Sequence, residues 1–459
     1  MPALQLDDIQ GNVLAGFNTC FEVFVALTAP PDVDWAPVAG WVASLSDQVA
    51  SVAQVKAERE AMKSPGSGLT WLCVALGARP MAAARPDVVF ADRAFRRGMA
   101  ERAATVLGDR GSPAEWKVGR PDSPVDILLI IGANETAPAE ARADALVASA
   151  AAVGLTASFR ETAARIADLE HFGFRDGISQ PAVLDFDPGG TVAAGNFVYG
   201  QPLAPGGPPA RVVRDPEGVA RNGSLLVLRR LNQDVAAFRT FCATEAARLA
   251  ASQWPGLTAE HLEALIVGRW PSGALASILV PADPGPPPAG EDFDFNDDRA
   301  GLACPVGSHI RKVNPRRGDK DVTVVPRLLR RGIPFGPRFE DDPDAERGLM
   351  FVCFQTAIDT AFELISTSWM NTTNRPASNS GHDLLVGQSR QPRSLVLNSP
   401  SGRLQLEDGG RSWVAASGGA YLFAPGKAGL AKIGGEPVRS LAGSLVRSLV
   451  RLQDALAIH

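Results

Sequence analysis

The chain has 459 residues, 45% of them hydrophobic and 21% charged, with 45 Lys and Arg against 50 Asp and Glu for a formal net charge of −5. At about 150 residues per domain this is two or three domains' worth of sequence, and the composition excludes wholesale disorder. The slight acidic balance argues against nucleic acid or an anionic membrane as partner, since both call for a basic surface.

The first strand-like run is 21–27, β-branched and aromatic, followed after the Pro30-Pro31 break by a helical spacing of Trp35, Val38, Trp41 and Val42. Runs 69–76 and 125–131 read as buried strands ended by Gly77 and Gly132. A helix is expected from about Pro138 through Val153, with Gly154 closing it. The second half repeats the grammar. A strand is expected at 223–231, a helix at 234–249, a strand at 347–355, a helix at 358–366 and a short strand at 418–425. Strands separated by single helices make an α+β or α/β unit of roughly 150 residues, and the repetition suggests a duplicated architecture. Segments 202–216 and 281–292 read as Pro/Gly-rich loops, and 445–459 as an amphipathic helix.

Five scattered cysteines (Cys20, Cys73, Cys242, Cys304, Cys353) include no C-x-x-C pair, which fits buried thiols in a reducing compartment better than a disulfide framework. The start of the chain shows no basic-then-apolar leader, and no run approaches the roughly 18 apolar residues of a membrane span. A cytoplasmic location is the expectation.

Histidine is scarce: His171, His261, His309, His382 and His459 are all there are. No H-E-x-x-H, G-x-S-x-G, Walker or dinucleotide motif occurs, so zinc hydrolysis, serine hydrolysis and nucleotide chemistry lose their usual supports. What remains is a site with one histidine ligand, or chemistry by carboxylate and arginine. His261, between Glu260 and Glu263 near a helix start, reads as a solvated face. The segment His171-Phe172-Gly173-Phe174-Arg175-Asp176-Gly177-Ile178-Ser179-Gln180-Pro181 holds an acid between glycines in an apolar loop. Taken alone, Asp176 reads first as a turn aspartate bonded to its own backbone. The segment Cys304-Pro305-Val306-Gly307-Ser308-His309-Ile310-Arg311-Lys312-Val313-Asn314-Pro315-Arg316 offers His309 as a haem ligand or as a structural histidine beside a basic loop.

Together with Arg330-Arg331-Gly332-Ile333-Pro334-Phe335-Gly336-Pro337, these segments resemble the dye-decolourising peroxidase family in order and spacing. Weaker echoes at 7–13, 381–388 and 418–423 extend the likeness over nearly the whole chain, with the longer cytoplasmic bacterial branch as the nearest fit. The resemblance implies an α+β fold of two ferredoxin-like domains, 1–200 ending in the Asp176 loop and 201–459 holding non-covalent haem b. It makes His309 the iron ligand, Asp176 the acid on the opposite side of the haem and Arg330 its arginine partner, with Arg331 the neighbour that could exchange places with Arg330. Arg311 would meet a haem propionate. Asp383 is the candidate to accept the second N–H of His309, with Glu363 or a carbonyl as alternatives and a turn-capping aspartate as the plainer reading. His382 would be a surface residue or a neighbour of that partner. Phe351, Phe354 and Met350 would line the haem pocket, although at strand spacing they are also simply core. Family members oxidise bulky dyes at surface Trp or Tyr. Trp369 and Trp413 are nominated here, each also readable as core, from eight Trp and two Tyr (Tyr199, Tyr421).

The expected activity is reduction of hydrogen peroxide with one-electron oxidation of dyes, phenols or another small aromatic reductant. Heterolysis of the O–O bond needs a group that takes a proton from one oxygen and returns it to the other, which Asp176 can do, and positive charge at the departing oxygen, which Arg330 can supply. An Asp beside a guanidinium titrates at or below its ordinary value of about 3.9 unless burial raises it, so activity is expected to favour acid to mildly acid pH. Two alternatives stay open: a peroxide-driven haem oxygenase or tailoring enzyme, and a haem-binding or haem-delivery protein without turnover. No membrane or nucleic-acid partner is expected, and a homodimer is admitted.

Overall fold

A computed structural model describes residues 3–287, 294–316 and 326–435; the helix expected at 445–459 and the end of the 281–292 loop lie outside these. Its strands are β1 (Phe21–Thr28), β2 (Trp71–Leu76), β3 (Ile127–Ala133), β4 (Thr156–Ala164), β5 (Ser224–Gln233), β6 (Leu329–Arg330), β7 (Ile333–Phe335), β8 (Gly348–Gln355), β9 (Ser394–Ser399), β10 (Gly402–Glu407) and β11 (Val414–Ala424). β1 to β4 form one antiparallel sheet in the order β4-β1-β3-β2, and β5, β7, β8 and β11 form a second in the order β7-β8-β5-β11, with β6 also on β8. Both have the 4-1-3-2 strand order of a ferredoxin-like βαββαβ unit. The expected duplication is therefore present in topology. Single bridges, Leu76 to Phe423 and Ala163 to Phe335, join the two sheets edge to edge into a closed ring. Such closure leaves few open edges for unwanted pairing.

The inner faces of the two sheets meet in one core, with Phe24, Ile130 and Trp71 from the first and Leu226, Val352 and Phe354 from the second. Each buried side chain of this size contributes about 1.5–3 kcal/mol relative to exposure. Helices cover the outer faces: Trp35–Ser44 and Thr136–Ala151 on the first sheet, Val235–Ala250 on the second. Their starts follow ordinary capping chemistry, as where Asp234 accepts the Ala237 N–H at 2.9 Å and Thr258 that of His261 at 3.1 Å. Arg230 of β5 is buried against Phe335 and pairs with Glu161 of β4 at 2.8 Å, a charged tie between the halves. Among the described residues no helix is long and apolar enough to cross a membrane.

Several local expectations change. The helix Val52–Met62, strand β4 and the β9–β10 hairpin had no counterpart in the sequence reading. The helix expected at 358–366 is instead a short turn at Phe362–Leu364 that runs into a π-helix at Ile365–Met370. His261 is buried rather than solvated. It stacks on Trp270 at 5.3 Å and its Nε2 meets the Ser277 carbonyl at 2.8 Å.

Candidate functional site

Between the second sheet and the π-helix lies a cavity of two adjoining lobes, about 340 and 170 Å³, both lined by His309 and Arg330. The larger falls within the usual ~300–1,000 Å³ of small-molecule sites. Its walls are apolar, with Phe351, Phe362, Ile365 and Met370 among them, and its charged lining is entirely basic among the described residues: Arg229, Arg316, Arg327, Arg330 and His309. The smaller lobe adds the acids Asp176 and Glu170.

His309 opens the short helix His309–Val313, and two close approaches seat it. A Cβ on Gly307 would stand 2.3 Å from the Ser380 carbonyl, and one on Gly387 2.5 Å from that of Asp383, so glycine is needed at both. His309 Nδ1 lies 2.7 Å from Asp383 Oδ2, which leaves Nε2 as the nitrogen available to the cavity. Asp383 is wholly buried, and its other oxygen accepts the N–H groups of Leu385 and Val386 at 2.9 and 3.0 Å. Burial pushes this carboxyl up, but His309, the Val386 amide and Arg393 outweigh it and hold it below its ordinary value. The alternative partner Glu363 is committed elsewhere, bidentate to Arg102 at 2.7 and 2.6 Å and accepting from the Tyr421 hydroxyl at 3.0 Å. Lys312, fully buried, donates to the carbonyls of Thr372, Arg375 and Gly381 at 2.8, 2.5 and 2.6 Å and so ties the His309 helix to the loop that leads to Asp383. His382 is half-buried, its Nδ1 taking the Ser394 N–H at 3.1 Å.

Asp176 lines the smaller lobe and also accepts its own neighbour's N–H, Gly177 at 2.6 Å, the backbone contact of a turn aspartate. Arg330 reaches the same lobe, with Nη2 on the Ser179 carbonyl at 3.1 Å and its backbone N–H on Gln180 Oε1 at 3.2 Å. Arg330 Nε is buried with no partner among the described residues, and so is Arg229 Nε. Arg331 points away: it donates to the carbonyls of Asn12, Val13 and Leu14 at 3.1, 3.2 and 2.6 Å. Of the two neighbours, Arg330 lines both lobes and Arg331 neither.

Three expected contacts are not made. Arg311 lines neither lobe; it is buried against Asp298 at 3.0 Å and the Phe295 ring at 4.2 Å. Phe354 and Met350 face the core between the sheets while Phe351 faces the cavity, because alternate residues of β8 leave opposite faces. Trp369 and Trp413 are buried, at 6% and 1% exposure. The sequence reading in turn missed Arg229, Arg327 and Glu170. Arg327 stands three residues before Arg330, the one signal that could have drawn attention to it.

A lobe with apolar walls and a basic charged lining, a single histidine nitrogen and, among the described residues, buried guanidinium N–H groups without partners suits an anionic, aromatic, iron-bearing plate, which is what haem is. The comparisons agree. A family model described as Dyp-type peroxidase, C-terminal, matches residues 288–379. The chain is 30% identical over 413 residues to a dye-decolorizing peroxidase of Mycena epipterygia, covering 81% of this chain and 73% of that one. It superposes on an ancestral D-type dye decolorizing peroxidase with a TM-score of 0.81 at 27% identity, covering 93% of this chain and 98% of the other. A fungal DyP-type peroxidase from Auricularia auricula-judae gives 0.78 at 26% identity, covering 95% and 100%. With likenesses of this kind, the expected placement in a bacterial branch is not borne out.

Proposed function

Because this chain belongs to the dye-decolorizing peroxidase family and is therefore a haem-dependent peroxidase, we propose that it carries haem b in the larger lobe, held through His309 Nε2, with the C-terminal half from about residue 201 as the haem-binding domain. The observation that carries this is the meeting of His309, Asp176 and Arg330 on one cavity. Arg316 and Arg327, in place of Arg311, would receive the propionates, since both line the larger lobe. When bound, the haem supplies the iron at which peroxide is taken up and the oxidising equivalents that pass to the reductant. Asp383 orients His309 and adds electron density to it. Asp176 takes a proton from the near peroxide oxygen and returns it to the departing one, which leaves as water. Arg330, permanently charged, steadies that oxygen as the bond breaks. The reductant would be a small aromatic or phenolic compound that gives up one electron at a time.

The test is an absorption spectrum of the haem-loaded protein before and within milliseconds of mixing with hydrogen peroxide. The expected result is a rapid shift of the Soret band in the wild type, slowed in Asp176→Asn and Arg330→Leu. A band that ignores peroxide would favour a haem carrier, and failure to take up haem would remove His309 as ligand. A carrier has no use for a proton-transfer group, so a silent Asp176→Asn would also count for it.

A further inference from the structure

Glu170 is a carboxylate the proposed reaction does not use, yet it lines the smaller lobe together with Asp176 and Arg330. Its two oxygens close the turn that precedes Asp176: Oε2 accepts the Phe172 N–H at 3.0 Å and Oε1 that of Phe174 at 2.9 Å. Gln233, at the end of β5, donates to Oε2 at 2.6 Å, and the Glu170 backbone pairs with Phe174 and Gly173 at 2.9 Å each. The chain leaves this turn directly into Asp176, whose own N–H rests on the Asp168 carbonyl at 3.2 Å.

Resting on the reading of Asp176 as the proton-transfer group, we infer that Glu170 is a positioning residue for it: its side chain sets the turn that brings Asp176 into the lobe, and its charge governs how readily Asp176 gives a proton back. Two carboxylates on one small lobe hold their protons jointly, so that the second ionisation works against the first. While Glu170 is neutral, it adds no charge to the lobe and leaves Arg330 to the reacting groups. Once Glu170 ionises, its negative charge opposes release of a proton from the lobe at the moment the departing oxygen needs one, and it competes for Arg330. The other charged groups on this lobe are Arg175, Arg269, His309, Arg316 and Arg330; Arg175 is turned toward Asp168 at 3.4 Å and Arg269 donates to the Gly273 carbonyl at 2.7 Å. Burial pushes Glu170 up to about 7, with the two amides and Gln233 opposing and Asp176 adding to the rise. The upper pH limit of the enzyme would then belong to Glu170.

The experiment uses the full chain in two measurements. In the first, the rate of the peroxide-dependent Soret shift is followed from pH 4 to 9 in the wild type, Glu170→Gln and Glu170→Asp. The wild-type rate is expected to fall by about tenfold per pH unit above the Glu170 ionisation, and Glu170→Gln to lose that fall. Glu170→Asp, which keeps an ionisable group, should retain a fall. In the second, the carboxylic-acid C=O band is titrated by infrared difference spectroscopy, which needs no turnover: a band titrating near neutral pH should vanish in Glu170→Gln. If Glu170→Gln keeps the wild-type pH profile while Asp176→Asn is crippled, the inference about Glu170 is wrong and the reading of Asp176 stands. If Asp176→Asn reacts as fast as the wild type, that reading itself fails.

Discussion

His309 presents Nδ1 to a wholly buried Asp383 at 2.7 Å, so the ring's second nitrogen faces the cavity with a carboxylate at its back. An anionic acceptor makes an imidazole a stronger donor to iron and favours the ferric state. Asp383→Asn keeps the shape and removes the charge. We expect a more positive reduction potential and about 10–100-fold weaker haem retention or activity. Redox titration and haem transfer to a scavenger protein would show it, and an unchanged potential would mean that the pair does not tune the iron.

Arg330 and Arg331 are neighbours with opposite assignments, and their variants should separate cleanly. Arg330→Leu is expected to slow the peroxide step by ~10²–10³-fold with little change in unfolding temperature. Arg331→Leu should do the reverse, because it strips donors from three carbonyls at residues 12 to 14 in a half-buried position, at a cost of about 2–4 kcal/mol. Stopped-flow mixing and thermal unfolding measure the two effects. If the pattern is inverted, the two roles are exchanged.

Glu22 offers a pH dependence of stability that is independent of the reaction. Burial lifts its carboxyl from 4.5 to about 8, with Arg165 and Arg331 opposing, and one of its oxygens has no partner among the described residues. The folded state thus keeps a proton that the unfolded chain releases above about pH 4.5, so stability from this residue is lost as pH rises from there toward 8. Glu22→Gln should flatten the fall in unfolding temperature between pH 5 and 8. Parallel curves for the two proteins would show that Glu22 is ionised in the fold.

How much of this was legible beforehand follows from where the information sits. Strands β1, β2, β3, β5 and β8 are buried, continuous apolar runs that announce themselves in one dimension. β4 (Thr-Ala-Ser-Phe-Arg-Glu-Thr-Ala-Ala) is mostly exposed or half-buried, and its partner β1 makes it a strand, which no local pattern could tell. His309, Asp176, Arg330 and Asp383 could be nominated because a family resemblance marks the short segments that hold them. The position of Arg311 away from both lobes has a physical cause. Two residues after His309 on a helical turn, its side chain leaves on a different face, where Asp298 meets it. Glu170 and Arg327 escaped because only the closed ring of sheets brings them to the cavity.

Arg393 and Asp408 form a pair at 2.7 Å with no exposure on either side, and Arg393 also donates to the carbonyls of Asp383 and Gly387. The pair therefore holds the loop that carries the partner of His309. Removing one member leaves a buried charge unmatched, so Arg393→Leu should cost about 3–5 kcal/mol by denaturant unfolding. It should also move the reduction potential in the same direction as Asp383→Asn. A loss of stability with an unmoved potential would show that the loop is positioned by Lys312 and the two close glycine contacts alone.

In the larger lobe, Arg327 is held below its ordinary value by burial first and by the charge of Arg316 second. Its Nη1 donates to the side-chain amide oxygen of Asn314, a neutral acceptor. Among the described residues the larger lobe is lined by guanidinium groups and by no carboxylate, an arrangement that favours an anion there. The consequence is a pair of effects with opposite sign. Arg327→Met should leave the haem-free protein equally or more stable, since a buried like-charge contact is gone. The same variant should weaken haem retention about tenfold, the worth of one charge-assisted bond of ~1.5 kcal/mol. Thermal unfolding of the haem-free protein and haem transfer to a scavenger give the two numbers. If both fall together, Arg327 is a structural residue and the propionates must be met elsewhere.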